Sequence, residues 1–184
     1  AVTKNAFQEK QLLLYSSDEM IQKVLNRIGW AGEVKAGVGD TLLVVDANLA
    51  SLKSDPAVDR HVTYEVYQNS SEQWLARVSI EYSHLGSFNW KTTRYRTYTR
   101  VYLPLGTKLL GVNGSWLNDK IQNPTKAKGP VDEVEDLGLM SFGTFTSVEP
   151  GQQSTLEFEF ILAPEVVSSI ESGEYGLTLL KQAG

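Results

Sequence analysis

The sequence predicts a mainly β protein, an antiparallel β-sandwich-like domain with one packed N-terminal helix, formed by residues 1–184 as a single unit. Three observations carry that expectation. Period-two alternation of apolar and polar residues recurs along most of the chain, as pleated strands with one buried face require. Only one stretch has the spacing of an amphipathic helix. The composition is 41% hydrophobic and 21% charged, with four Trp, eight Tyr and six Phe, which suits a chain that builds its own core.

The elements follow in order. Asn5, Ala6 and Phe7 read as the tail of an element. Residues 11–15 hold Leu12, Leu13 and Leu14 together, an apolar run that predicts a strand buried on both faces. Ser16 and Glu19 have capping-box spacing, and Met20, Ile21, Val24, Leu25 and Ile28 then recur at helical intervals, with Gly29 as a stop. This is the one substantial helix expected.

After the glycine-punctuated stretch 29–40 the pattern changes to strands. Leu42, Leu43, Val44 and Val45 are continuous; Val62, Tyr64 and Val66 alternate with Thr63, Glu65 and Tyr67. Trp74, Ala76, Val78, Ile80 and Tyr82 alternate with Leu75, Arg77, Ser79 and Glu81. Residues 92–103, TTRYRTYTRVYL, are dense in β-branched and aromatic side chains and predict one long strand. Leu156, Phe158, Phe160 and Leu162 repeat the alternation, and Tyr175, Leu177 and Leu179 close the chain. The polar, proline-bounded residues 118–130, NDKIQNPTKAKGP, predict an exposed loop.

Composition also excludes. A net charge of −5 argues against broad nucleic-acid binding, which needs many Lys and Arg contacts to phosphate. With no Cys there are no disulfides, thiol chemistry or Cys-ligated zinc. No apolar run approaches the roughly 20 residues of a membrane-spanning helix. Because the chain starts at Ala1 within what reads as an element, it is expected to be a fragment of a longer surface protein, reaching a membrane only through segments outside it.

Two constellations invite a functional reading. On the strand at 92–103, Arg94, Arg96, Tyr98, Arg100 and Tyr102 share one face, a basic and aromatic ridge able to receive a carboxylated sugar, an anionic polymer or an acidic partner. The simpler reading pairs these arginines with Glu65, Glu81, Glu157 and Glu159 on neighbouring strands. Around 44–59, Asp46, Asn48, Asp55 and Asp59 crowd one connection. Such oxygens suit Ca²⁺, but the spacing is not that of the helix-loop-helix calcium site, and an Asx turn at Asn48 with a cap by Asp55 explains them equally. No cofactor is therefore expected.

His61 and His84 stand beside strands without a nucleophile, and Gly37 and Gly39 lack the spacing and lysine of a phosphate-binding loop. Asp132, Glu133, Glu135 and Asp136 read as a charged loop, and Glu157 with Glu159 as a solvated strand face rather than a glycosidase pair. No catalytic set emerges.

Several motifs in order resemble a bacterial family of unknown function, DUF4012: a helix ending in Gly29 to Gly32 (GWAG), the Ala47-Asn48 loop leading to Lys53-Ser54-Asp55, and the Tyr-Arg strand running from Tyr95 to Pro104. The resemblance spans most of the first 110 residues and matches that family's C-terminal half. It implies a membrane-anchored parent facing the outside of a bacterium, with no activity to carry over. The expected function is a non-catalytic binding or scaffolding module at the bacterial cell surface, with a cell-envelope polymer or surface protein as partner. An enzyme acting on envelope glycan through Asp46, Asn48, Lys53 and Asp55, and a structural spacer, are the alternatives.

Overall fold

The computed structural model describes residues 2–117 and 127–182. It is a two-sheet sandwich, as expected, with nine strands among those residues: β1 Asp40–Asn48, β2 Val58–Gln68, β3 Trp74–His84, β4 Tyr95–Leu103, β5 Lys108–Asn113, β6 Asp132–Asp136, β7 Leu139–Val148, β8 Gln153–Ile161 and β9 Leu177–Leu180. One sheet has the order β6-β7-β4-β1-β9, the other β2-β3-β8-β5. Every pairing is antiparallel except β1 with β9, the two strands from opposite ends of the chain.

Alternation sets the core. Leu42 and Val44 of β1, Val78 and Ile80 of β3, Val101 and Leu103 of β4, Phe142 of β7, and Phe158 and Phe160 of β8 interdigitate between the sheets. Phe142 and Phe160 meet with ring centroids 4.8 Å apart. A smaller cluster, Leu43, Tyr102 and Leu139, lies on the far side of the five-stranded sheet and is covered by Val34.

Among the described residues three α-helices accompany the strands: α1 Val2–Gln8, α2 Glu19–Arg27 and α3 Pro164–Glu171. The helical spacing is realised as α2, and Gly29 follows it with φ +76°, a stop that only a residue without Cβ takes at no steric cost. The capping differs from the expected Ser16 box. Asp18 is the N-cap, accepting from the Met20 and Ile21 N–H groups, because a carboxylate at that position also complements the helix dipole. Leu25 turns inward while Met20, Ile21, Val24 and Ile28 stay exposed. α3 opens on Pro164 and drives Val166 into the main core.

The run Leu12 to Leu14 is not a buried strand. Its side chains are exposed, and its backbone bonds only to scattered carbonyls, Leu12 N–H to Ala6 O at 3.2 Å and Leu14 N–H to Trp30 O at 2.8 Å, since no named strand pairs with it in a ladder. The acidic residues 132–136 are not a loop but the edge strand β6. Paired only with β7 and exposed at every position, β6 needs no apolar face, so alternation could not reveal it. Of the expected loop at 118–130, residues 118–126 lie outside those described; Lys128 pairs with Trp116 in an antiparallel bridge.

Among the described residues no helix is long and apolar enough to cross a membrane.

Candidate functional site

β4 divides its two faces as alternation requires, and they do different things. Its outer face carries Arg96, Tyr98 and Arg100, with Arg94 just ahead of the strand. The glutamates expected beside them belong to the other sheet: β4 pairs with β1 and β7, whereas Glu65, Glu157 and Glu159 surround Arg77 on the outer face of β2, β3 and β8. The expected charge pairing is thus corrected. Arg94 pairs with Glu149, Arg100 lies over the Tyr98 ring at 4.8 Å, and Tyr98 donates to Asp132 on β6. Gly143 on the intervening β7 makes that reach feasible, because a Cβ there would sit 2.5 Å from the Tyr98 hydroxyl oxygen.

The strand begins at Tyr95 rather than at residue 92. Ahead of it, the chain is bonded through side chains: Ser54 Oγ accepts from Thr93 N–H, and His84 Nε2 lies 2.9 Å from Thr93 O. Gly86 N–H donates to His84 Nδ1, which leaves Nε2 as the protonated nitrogen. His84 is therefore a buried structural clasp, and His61 is exposed on β2.

The inner face of β4 carries the unexpected chemistry. Thr97 and Thr99, fully buried where apolar residues would suffice, aim at Asp46 of β1. Asp46 Oδ1 accepts from Tyr82 Oη at 2.7 Å, Thr99 Oγ1 at 2.7 Å and Thr97 Oγ1 at 3.2 Å, while Oδ2 accepts from Arg60 Nη1 at 2.7 Å. These donors come from both sheets, so the carboxylate ties β1 and β4 to β2 and β3. Its backbone is occupied as well: Asp46 N–H donates to Gln182 Oε1 and Asp46 O accepts from Gln182 Nε2, both at 2.9 Å. Burial, then the Asp46 charge, pushes the Tyr95 phenol up to about 12 and raises Tyr82 further.

This cluster forms the polar end of a cleft at the open side of the sandwich. A recess of about 480 Å³ is bounded by Asp46, Asp55, Arg60, Tyr95, Lys181 and Gln182. It continues into an apolar groove of about 390 Å³ between Leu42, Val44, Val62, Leu177 and Leu179. Beyond Tyr64, which also borders the groove, Asp40 Oδ2 accepts from Tyr64 Oη at 2.6 Å and Tyr175 Oη at 3.0 Å. Burial raises the Asp40 pKa against the opposing pull of those two hydroxyls.

The residues of the 44–59 connection only partly converge. Asn48 Oδ1 accepts from Ser51 N–H, three residues on rather than the two of the expected Asx turn, and its amide donates to Asp55 Oδ2 at 2.6 Å; of the two, Asp55 borders the recess. Lys53 is exposed and borders none of the recess. Asp55 opens a short 3-10 turn, Asp55–Ala57, without capping it; Ser54 holds the N-cap position. The Asp46 oxygens are met by hydroxyl and guanidinium donors, and among the described residues no group of three or more His, Cys, Asp or Glu is arranged to hold a metal ion. Arg60, Tyr82, Tyr95, Thr97, Thr99 and Gln182 were not singled out by sequence. The one available signal was the pair of threonines on the apolar face of β4.

Comparison of the chain with protein-family models, curated proteins and solved structures found no match.

Proposed function

We propose that this chain is a non-catalytic binding module of the bacterial cell surface, and that it takes a hydroxyl-rich cell-envelope polymer, a glycan, at the polar recess. The observation that carries this reading is the joint presence in one recess of a carboxylate acceptor, Asp55, with Arg60, Lys181 and Gln182 as donors beside the Tyr95 phenol. Sugar hydroxyls donate and accept at once, so a surface offering both kinds of partner suits them. Binding is favoured over catalysis because Asp46 is held in the fold by four donors, three on Oδ1 and Arg60 on Oδ2, and because Lys53 stands apart. Placement at a bacterial surface rests on the motif resemblance at Gly29 to Gly32, Ala47-Asn48 and Tyr95 to Pro104.

The test is co-sedimentation of the purified chain with insoluble cell-wall glycan. The native chain is retained, Asp55→Ala weakens retention about tenfold, equivalent to one good hydrogen-bonding contact, and Arg100→Ala on the opposite sheet face changes nothing. Loss with Arg100→Ala alone would move the site to the outer face, and no retention of the native chain rejects the reading.

A further inference from the structure

The edges of the four-stranded sheet are unequal. β5 is irregular between Leu109 and Gly111, whereas β2 is a regular strand of 11 residues, registered along its whole length with β3 and flanked by no strand on its other side among the described residues. Such an edge offers alternate N–H and C=O groups to any extended strand of matching register. Its inner face, Val62 and Tyr64, borders the apolar groove, and across that groove Leu177 and Leu179 are 38% and 68% exposed.

We propose that β2 pairs with β2 of a second copy of this chain, antiparallel about a twofold axis at Thr63, joining the two four-stranded sheets into one. This goes beyond the glycan reading and lies along the apolar groove, which shares Arg60, Lys181 and Gln182 with the polar recess. The register is chosen by charge. Paired residues must lie on the same face, so a shift moves by whole pairs. With Thr63 opposite the partner's Thr63, His61 faces the partner's Glu65 twice over, an imidazole N–H donor against a carboxylate, and Val62 faces the partner's Tyr64. Centring on Val62 instead sets Asp59 against the partner's Glu65, two like-charge contacts that disfavour the pairing. Centring on Tyr64 places Thr63 against the partner's Glu65 and forfeits the histidine contact. In the favoured register Leu177 and Leu179 of the two copies approach across the axis, which covers the apolar residues that each copy alone leaves in water.

The absence of cysteine gives a direct test on the whole chain. Sedimentation equilibrium shows a concentration-dependent dimer of the 20.4 kDa chain. Thr63→Cys forms a disulfide dimer under mild oxidation, since directly opposite residues in an antiparallel pair meet the Cα separation a disulfide needs. His61→Cys and Glu65→Cys cross-link efficiently only when mixed. Ile21→Cys, on the exposed face of α2, serves as the control. A monomer at every concentration overturns the proposal, and so does a dimer in which Ile21→Cys cross-links faster than Thr63→Cys. Retained far-UV circular dichroism in each variant separates lost pairing from lost fold.

Discussion

Tyr82 Oη lies 2.7 Å from Asp46 Oδ1, a hydrogen bond that spans the two sheets through the interior of the sandwich. Tyr82 is 1% exposed, so its hydroxyl has no water to fall back on.

Asp46→Ala is expected to destabilise the fold by about 3 kcal/mol, because it strands the buried Tyr82 and threonine hydroxyls and leaves Arg60 unpaired. Asp46→Asn keeps a carbonyl acceptor at Oδ1 and should cost about half as much. Urea unfolding decides; an alanine variant within about 0.5 kcal/mol of the native chain, the usual range of a neutral surface change, would falsify the role given to Asp46.

Alkaline pH should unfold the chain through its tyrosines. Tyr95 is pushed up to about 12 by burial and then by Asp46, Tyr98 to about 12 by burial and then by its bond to Asp132, and Tyr82, Tyr64 and Tyr175 are raised too, each first by burial. A raised folded pKa means that the folded state keeps protons which the unfolded state, titrating near 10, releases. Their contribution is therefore complete below about pH 10 and is lost as pH rises through about 12. Tyrosinate absorbance followed beside the urea midpoint tests this. All eight tyrosines titrating together near 10, with an unchanged midpoint, would contradict it.

Gly143→Ala should displace Tyr98 from its path over β7 and break its bond to Asp132 on β6. The expected loss is about 1–2 kcal/mol, typical of overpacking at a site where one neighbour can swing away. The same variant should return the Tyr98 phenol toward about 10, since it then meets water. An unshifted phenol would show that Gly143 is not what lets Tyr98 reach β6.

Arg77→Gln probes the opposite outer face, where one guanidinium meets Glu65 at 3.7 Å, Glu157 at 3.9 Å and Glu159 at 3.3 Å and stacks on Tyr67 at 5.2 Å. These partners are solvated, so the loss in urea midpoint should be present at low ionic strength and shrink near about 1 M salt, where screening acts within a few ångströms. A loss independent of salt would assign the effect to ring stacking instead.

Much of this architecture was legible. β3 and β8 show their inner faces at every second residue, from Ala76 to Tyr82 and from Leu156 to Phe160, because each is buried on one side only. Where that condition fails, so does the reading: β6 is wet on both faces, and Leu12 to Leu14 pair with no strand. Thr97 and Thr99 were visible as polar residues on an apolar face, yet the arginines alternating with them drew the functional interpretation outward. The remaining partners were hidden by distance along the chain. Gln182 stands 136 residues from Asp46, brought there by the parallel pairing of the last strand with the first. Lys53 shows the converse, since closeness in a loop does not aim side chains at one point.

The contact of Gln182 with the Asp46 backbone also bears on how the sheets end. β9 pairs with β1 only as far as Leu43 and Leu180, and a bare β1 edge would begin there. One carboxamide satisfies both the donor and the acceptor that Asp46 presents on that edge, so a side chain plugs the ladder where the backbone stops. Substituting Gln182 with leucine would unplug it and turn a finished margin into a template for an incoming strand. The stretch of β1 beyond its pairing with β9 is thus closed at Asp46 by a single residue, whereas the β2 edge is flanked by no strand among the described residues.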